Sequence, residues 1–173
     1  GIGITGKMWA HEHHEVEPDV MSFGKKTQCC GIFAGNRLKE VEDHVFDESS
    51  RINSTFGGNL VDMVRFTIYL ELIEKEGLVQ VAEENGSYLL SSLNSLQEQS
   101  NGLISNARGK GLFCAYDLPS TKERDRLITN METEGAIILG CGHNSIRFRP
   151  HLNISKNEID QAMSMMKNAL SKL

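Results

Sequence analysis

The sequence predicts an α/β protein, and three observations carry that expectation. Short apolar runs with β-branched members, bounded by glycine, occur around residues 19–35 and again between 111 and 149. Between them, from Asn59 to Leu96, apolar residues recur at three- and four-residue spacing, the period of a helix. From Gln97 onward the two patterns alternate, and Ser-x-x-Glu signatures open the helical stretches, which reads as an α+β unit.

Taken in order, residues 1–17 are rich in glycine and histidine and read as loop. Asp19–Phe23 suits a buried strand ending at Gly24, and Cys30–Gly35 a second strand closed by a turn. Leu60, Met63, Val64, Thr67, Ile68 and Leu72 form one helical apolar stripe. Gly77 interrupts it, and Leu78, Val81, Ala82, Leu89, Leu90, Leu93 and Leu96 resume it. This predicts two consecutive helices bent at Gly77, joining a first domain (1–77) to a second (78–173). After a polar stretch, Gln97–Asn106, Gly111–Asp117 reads as a strand. Ser120 with Glu123 opens a helix through Leu127, Ile128 and Met131 that ends at Gly135. Ala136–Leu139 and Ile146–Arg149 are short strands around a turn at 140–145. Ser155 with Glu158 opens the last helix, with Ile159, Ala162, Met163, Met166, Ala169 and Leu170 inward.

Composition narrows the function. The 173 residues carry a formal charge of −5, with eighteen Lys and Arg scattered rather than striped, which argues against a nucleic-acid partner. No apolar run approaches the roughly 18 residues that span a bilayer, and the first residues lack the apolar centre of a signal peptide. A cytoplasmic protein is the simplest reading. Cys29, Cys30, Cys114 and Cys141 lack metal-ligand spacing and read as buried free thiols. The sequons at Asn53, Asn85 and Asn153 read as chance without a secretory context.

Several motifs compete for chemistry. Gly1-Ile2-Gly3-Ile4-Thr5-Gly6 matches the dinucleotide fingerprint by letter, but no strand–helix context surrounds it. His11, Glu12, His13 and His14 lack the spacing that brings ligands to one helix face, so they read as a solvated loop rather than a metal site. Lys25 and Lys26 follow a buried-looking strand. They are either a solvated charge pair or a lysine held against apolar surroundings as an amine nucleophile. Asn53–Asn59, hydroxyls followed by two glycines and a helix start, is either a plain cap or a cradle presenting N–H groups and an Oγ to a phosphate.

The run PDVMSFGKKTQCCG, residues 18–31, resembles the lysine segment of the ω-amino acid (class III) aminotransferases. STFGGN (54–59) resembles their phosphate-binding segment, GITGKMWAHEH the stretch after their DEVQTG motif, and IRFRP (146–150) their C-terminal arginine strand. The resemblance implies the C-terminal portion of a fold-type I transferase dependent on pyridoxal 5'-phosphate. Residues 1–77 would be part of the large domain and 78–173 the small α+β domain. It implies Lys26 as the Schiff-base lysine, Thr55 and Ser54 on the cofactor phosphate, Arg147 on the substrate carboxylate, and Asn53 beside the substrate. No metal is implied. Thr55 acts across an interface in the family, so a homodimer is implied.

FGKKTQ, RINSTFGGN and RFRP are most similar to the members that use L-lysine. Those using 4-aminobutyrate share the double lysine and SIRFRP but differ at the phosphate segment. The implied reaction moves the ε-amino group of L-lysine to 2-oxoglutarate. The rivals are another ω-amino acid as donor, or a non-catalytic interaction module derived from such an enzyme. The family's aspartate for the pyridinium nitrogen belongs to DEVQTG, ahead of Gly1, so this chain alone is expected to be inactive.

Overall fold

The computed structural model describes residues 2–52, 55 and 57–173. They form two compact units, Gly1–Ile2 with Lys7–Gly77, and Gly3–Gly6 with Leu78–Leu173.

The first unit is built on a hairpin. Strand β1 (Val20–Phe23) pairs antiparallel with β2 (Gly31–Ala34), in the register Val20↔Ala34 to Phe23↔Gly31. Phe23 stacks on Phe33 at 4.6 Å and on Phe66 at 6.1 Å, and Trp9 meets the Phe33 ring edge-on at 5.4 Å. Gly31 is fixed by this cluster, because a Cβ there would lie 2.4 Å from the Phe23 ring. Short 3-10 turns occur at Ala10–His13, Lys25–Thr27 and Asn36–Glu40, where the first was expected as loop and the third carries no apolar period to signal it.

Helix α1 (Leu60–Lys75) starts where Asn59 Oδ1 accepts from the Val61 N–H at 3.0 Å. Its expected apolar stripe is present but largely exposed: Leu60, Met63, Val64, Ile68 and Leu72 are all uncovered, and Ile73 is the buried residue. The helix packs on the aromatic cluster through Phe66, which lies off that stripe.

The second unit is an antiparallel sheet packed against helices. Helix α2 (Leu78–Gln99) precedes β3 (Ser105–Lys110) and β4 (Phe113–Asp117). Then come α3 (Thr121–Thr133), β5 (Leu139–Cys141), β6 (Ser145–Phe148) and α4 (Lys156–Leu170), with sheet order β3-β4-β6-β5. Strand alternation buries Cys114 and Tyr116 of β4 with Ile146 of β6. Ala82, Leu89, Leu93 and Leu96 of α2, Leu127 and Met131 of α3, and Ile159, Met163 and Met166 of α4 complete this core. Burial pushes the Cys114 thiol up to about 11 and raises the Tyr116 hydroxyl well above its usual range.

Three sequence expectations need correction here. Strand β3 falls across the polar stretch and went unread, because an edge strand with a bulge between Ser105 and Arg108 shows no apolar alternation. Strand β5 covers 139–141 rather than 136–139, since its extent is set by pairing with Ser145–Arg147 of β6. Of the four free cysteines only Cys114 is buried; Cys29 and Cys141 are half-buried and Cys30 is exposed. Both expected caps form, in different ways. Ser155 and Glu158 make a full capping box, whereas Ser120 accepts from the Lys122 N–H and donates to the Glu123 carboxylate.

The glycine run at the start has a packing role. Gly3 and Gly6 have φ of +72° and +81°, and the Gly6 N–H closes a turn on the Gly3 carbonyl. Ile4 then accepts from the Leu112 N–H at 2.9 Å, so the segment lies against the β3–β4 turn at Gly111.

Candidate active site

Each unit carries some of the candidate residues. In the first, the seven residues between Phe23 and Gly31 connect β1 to β2, and Lys25 and Lys26 sit in the 3-10 turn that opens this connection. Lys25 and Gln28 both take left-handed backbone, with φ of 58° and 65°. Thr27 is the buried residue of the turn, and its hydroxyl donates to the Cys29 carbonyl at 2.6 Å. Lys26 is exposed, and among the described residues no hydrogen bond or ion pair engages its amine. Of the three residues implied in the phosphate segment, Thr55 is exposed, and Asn53 and Ser54 lie outside the described residues.

In the second unit, Arg147 is the middle of β6, paired with Ala115 of β4 and Leu139 of β5. Alternation puts its side chain on the sheet face opposite Ile146 and Phe148, in a cross-strand row with Arg108, Ala115 and Leu139. A pocket of 240 Å³ also borders Arg147, but its other walls are mostly core residues such as Leu89, Met131 and Met163.

The two arginines of the row differ in charge balance. Arg108 pairs with Asp117 at 2.9 Å and donates to Ser145 Oγ at 3.3 Å. Asp117 also accepts from Ser145 at 2.5 Å and from Asn106 at 2.7 Å. Arg147, by contrast, has a buried Nε with no hydrogen-bond partner among the described residues. An unpaired buried donor of this kind costs roughly 1–3 kcal/mol, which an anion accepting from it would offset. Gln28 and Arg65, whose side chains meet at 3.0 Å, were missed by sequence reasoning: they are 37 residues apart and belong to no motif.

Asp117 gives a pH prediction. Partial burial alone would raise its pKa, but hydrogen bonds from Ser145, Asn106 and Arg108, with the Arg108 charge, hold it below its usual 3.8. A depressed folded-state pKa means that the stabilisation is present above 3.8 and is lost as pH falls through the lower folded value. Asp117→Asn should therefore lower stability at neutral pH and flatten the acid limb of an unfolding profile below about pH 4. An unchanged acid limb would mean the cluster adds nothing.

Among the described residues no group of three His, Cys, Asp or Glu side chains could hold a metal ion, and no helix is long and apolar enough to cross a membrane.

Comparison with known proteins bears on both parts. The family model "Aminotransferase class-III" matches residues 1–170. The L-lysine-epsilon aminotransferase of Mycobacterium tuberculosis is 46% identical over 98% of this chain and 38% of its own length. The 4-aminobutyrate aminotransferase of Dictyostelium discoideum is 37% identical over 94% of this chain and 34% of its own length. A solved structure of lysine aminotransferase from M. tuberculosis in the internal aldimine form superposes with a TM-score of 0.96 at 46% identity, covering 99% of this chain and 40% of that one. The chain thus spans about two fifths of the length of these relatives.

Proposed function

Because the chain belongs to the class III aminotransferases, we propose that the whole protein is a pyridoxal-phosphate-dependent L-lysine 6-aminotransferase. It moves the ε-amino group of L-lysine to 2-oxoglutarate, giving 2-aminoadipate 6-semialdehyde and glutamate. The chain has the α/β fold of part of a fold-type I transaminase. Residues 1–77 belong to its large cofactor-binding domain and 78–173 to its small domain. The choice of lysine as donor is supported by higher identity to the lysine-epsilon enzymes than to those of 4-aminobutyrate.

The residues fit the cofactor by their chemistry. Lys26 offers an unengaged primary amine on the β1–β2 connection, and Thr55 an exposed hydroxyl for a phosphate. The observation that carries the site is the buried Nε of Arg147, which has no hydrogen-bond partner among the described residues. When bound, pyridoxal phosphate supplies an aldehyde and an electron-withdrawing ring. Lys26 anchors the cofactor covalently. Its Nζ would also be the base for the proton on the substrate carbon that bears the amino group. Thr55 and Ser54 hold the phosphate, Asn53 borders the substrate, and Arg147 grips a 2-oxoglutarate carboxylate with its planar fork.

Thr55 serves the site of a second copy, so the protein works as a homodimer. The exposed Leu60, Val64 and Ile68 of α1 give support, as an apolar face of the kind that partners cover. We place the protein in the cytoplasm, in keeping with its four unpaired cysteines.

The test is a panel of amino donors offered to the whole protein with 2-oxoglutarate. Turnover of lysine well above that of 4-aminobutyrate supports the proposal, the reverse preference replaces the donor, and no turnover with any amine leaves an interaction module. Arg147→Lys should raise the KM for 2-oxoglutarate about 10- to 100-fold, as a point charge replaces a bidentate pair, while lysine half-reaction rates change less. An unchanged KM would move the carboxylate site to another residue.

A further inference from the structure

We infer that Gln28 and Arg65 are positioning residues that set the direction of the Lys26 side chain. The inference rests on the proposal that Lys26 is the cofactor lysine. The Gln28 carboxamide bridges two partners. Its Nε2 donates to the Lys25 carbonyl at 3.3 Å, and its Oε1 accepts from Arg65 Nη1 at 3.0 Å. A guanidinium can only donate and a carbonyl can only accept, so this amide orientation alone satisfies both. Arg65 is held in turn by Asp62, one helical turn earlier on α1, at 3.4 Å.

The Lys25 carbonyl belongs to the peptide that enters Lys26. Fixing it fixes the plane from which the Lys26 Cα–Cβ bond projects. The turn needs such a hold, since left-handed residues stand on both sides of Lys26–Thr27. Thr27 anchors it through the Cys29 carbonyl. The Gln28 backbone N–H also reaches the Lys25 carbonyl, at 3.2 Å. That bond closes the turn upon itself; the bridge through Gln28 to Arg65 ties it to α1, a 16-residue helix. Gln28 and Arg65 touch no reacting atom, so they act through Lys26.

The experiment uses the whole protein stripped of cofactor. Pyridoxal phosphate is added, and the visible band is followed in time and against pH. Borohydride then traps the adduct, which is located by peptide mapping. Gln28→Met removes both bonds at similar volume. Gln28→Glu keeps the acceptor for Arg65 but loses the donor to Lys25. Arg65→Met cuts the tie to α1, and Arg65→Lys restores a donor.

Band formation should slow about 5- to 50-fold in Gln28→Met and Arg65→Met, with a shifted pH midpoint and an unchanged melting temperature. Gln28→Glu should be impaired, and Arg65→Lys partly rescued. The double Met variant should match one single variant rather than their product, because both cut one chain of contacts. Wild-type rates and pH midpoints in both single Met variants, with trapping still at Lys26, overturn this inference and leave the proposed function standing. Wild-type trapping at a lysine other than Lys26 sinks the lysine assignment and this inference together.

Discussion

Lys26→Ala in the whole protein should abolish transamination, with turnover falling at least about 10⁴-fold, because the covalent anchor and the proton-transfer base vanish together. Only one of the two adjacent lysines can fill that role. They lie in a 3-10 turn, where successive side chains diverge by about 120°, so Lys25 and Lys26 face different directions. Lys25 is also the residue in left-handed backbone, with φ of 58°, which a glycine adopts more easily. Lys25→Gly should thus retain turnover, while Lys26→Ala loses both turnover and the borohydride-trapped adduct. Steady-state rates together with a peptide map of the adduct decide the matter. A dead Lys25 variant beside an active Lys26→Ala would reverse the assignment. Turnover in both would end the lysine reading altogether.

What the sequence made legible followed from local rules. The Ser155–Glu158 box marks the start of α4 because both reciprocal bonds form within four residues. The run around Phe113–Asp117 announces β4 because alternate members are buried. The break at Gly77 is readable because that residue, at φ +60°, leaves helical backbone between α1 and α2. Features that depend on a distant partner were not legible. The extent of β5 is dictated by β6, and β3 is held by its pairing with β4 rather than by its own composition. The candidate site shows the same division. Spacing alone left Lys25–Lys26 open between a solvated pair and a nucleophile, and only the family resemblance selected Lys26. The partnerless Nε of Arg147 and the bridge from Gln28 to Arg65 are three-dimensional facts with no linear signature.

Gly86→Ala should destabilise the second unit by roughly 3 kcal/mol or more, although helix propensity alone predicts the opposite. Gly86 lies inside α2, where alanine is favoured over glycine by about 1 kcal/mol. It is also buried against the β3–β4 turn, and an added Cβ would lie 2.0 Å from the Gly111 carbonyl carbon and 2.4 Å from its Cα. No side-chain rotation relieves a contact with backbone. Gly111 cannot retreat either, since its own Cβ position is 2.5 Å from the Thr5 carbonyl carbon on the far side. Backbone is thus stacked at three levels, α2 against the turn and the turn against Gly3–Gly6, with the Leu112 N–H bonding Ile4 across the last contact. The propensity gain cannot offset such a clash. Urea unfolding followed by far-UV circular dichroism, with hydrogen exchange at α2 amides, measures the loss. Gly77→Ala is the comparison. Nothing lies within 4 Å of a Cβ there, so only its left-handed φ should count, at about 1 kcal/mol. A Gly86→Ala protein as stable as wild type would mean that α2 and the turn stand farther apart in solution. The close approach of Gly3–Gly6 to the β3–β4 turn within that unit would then need another explanation.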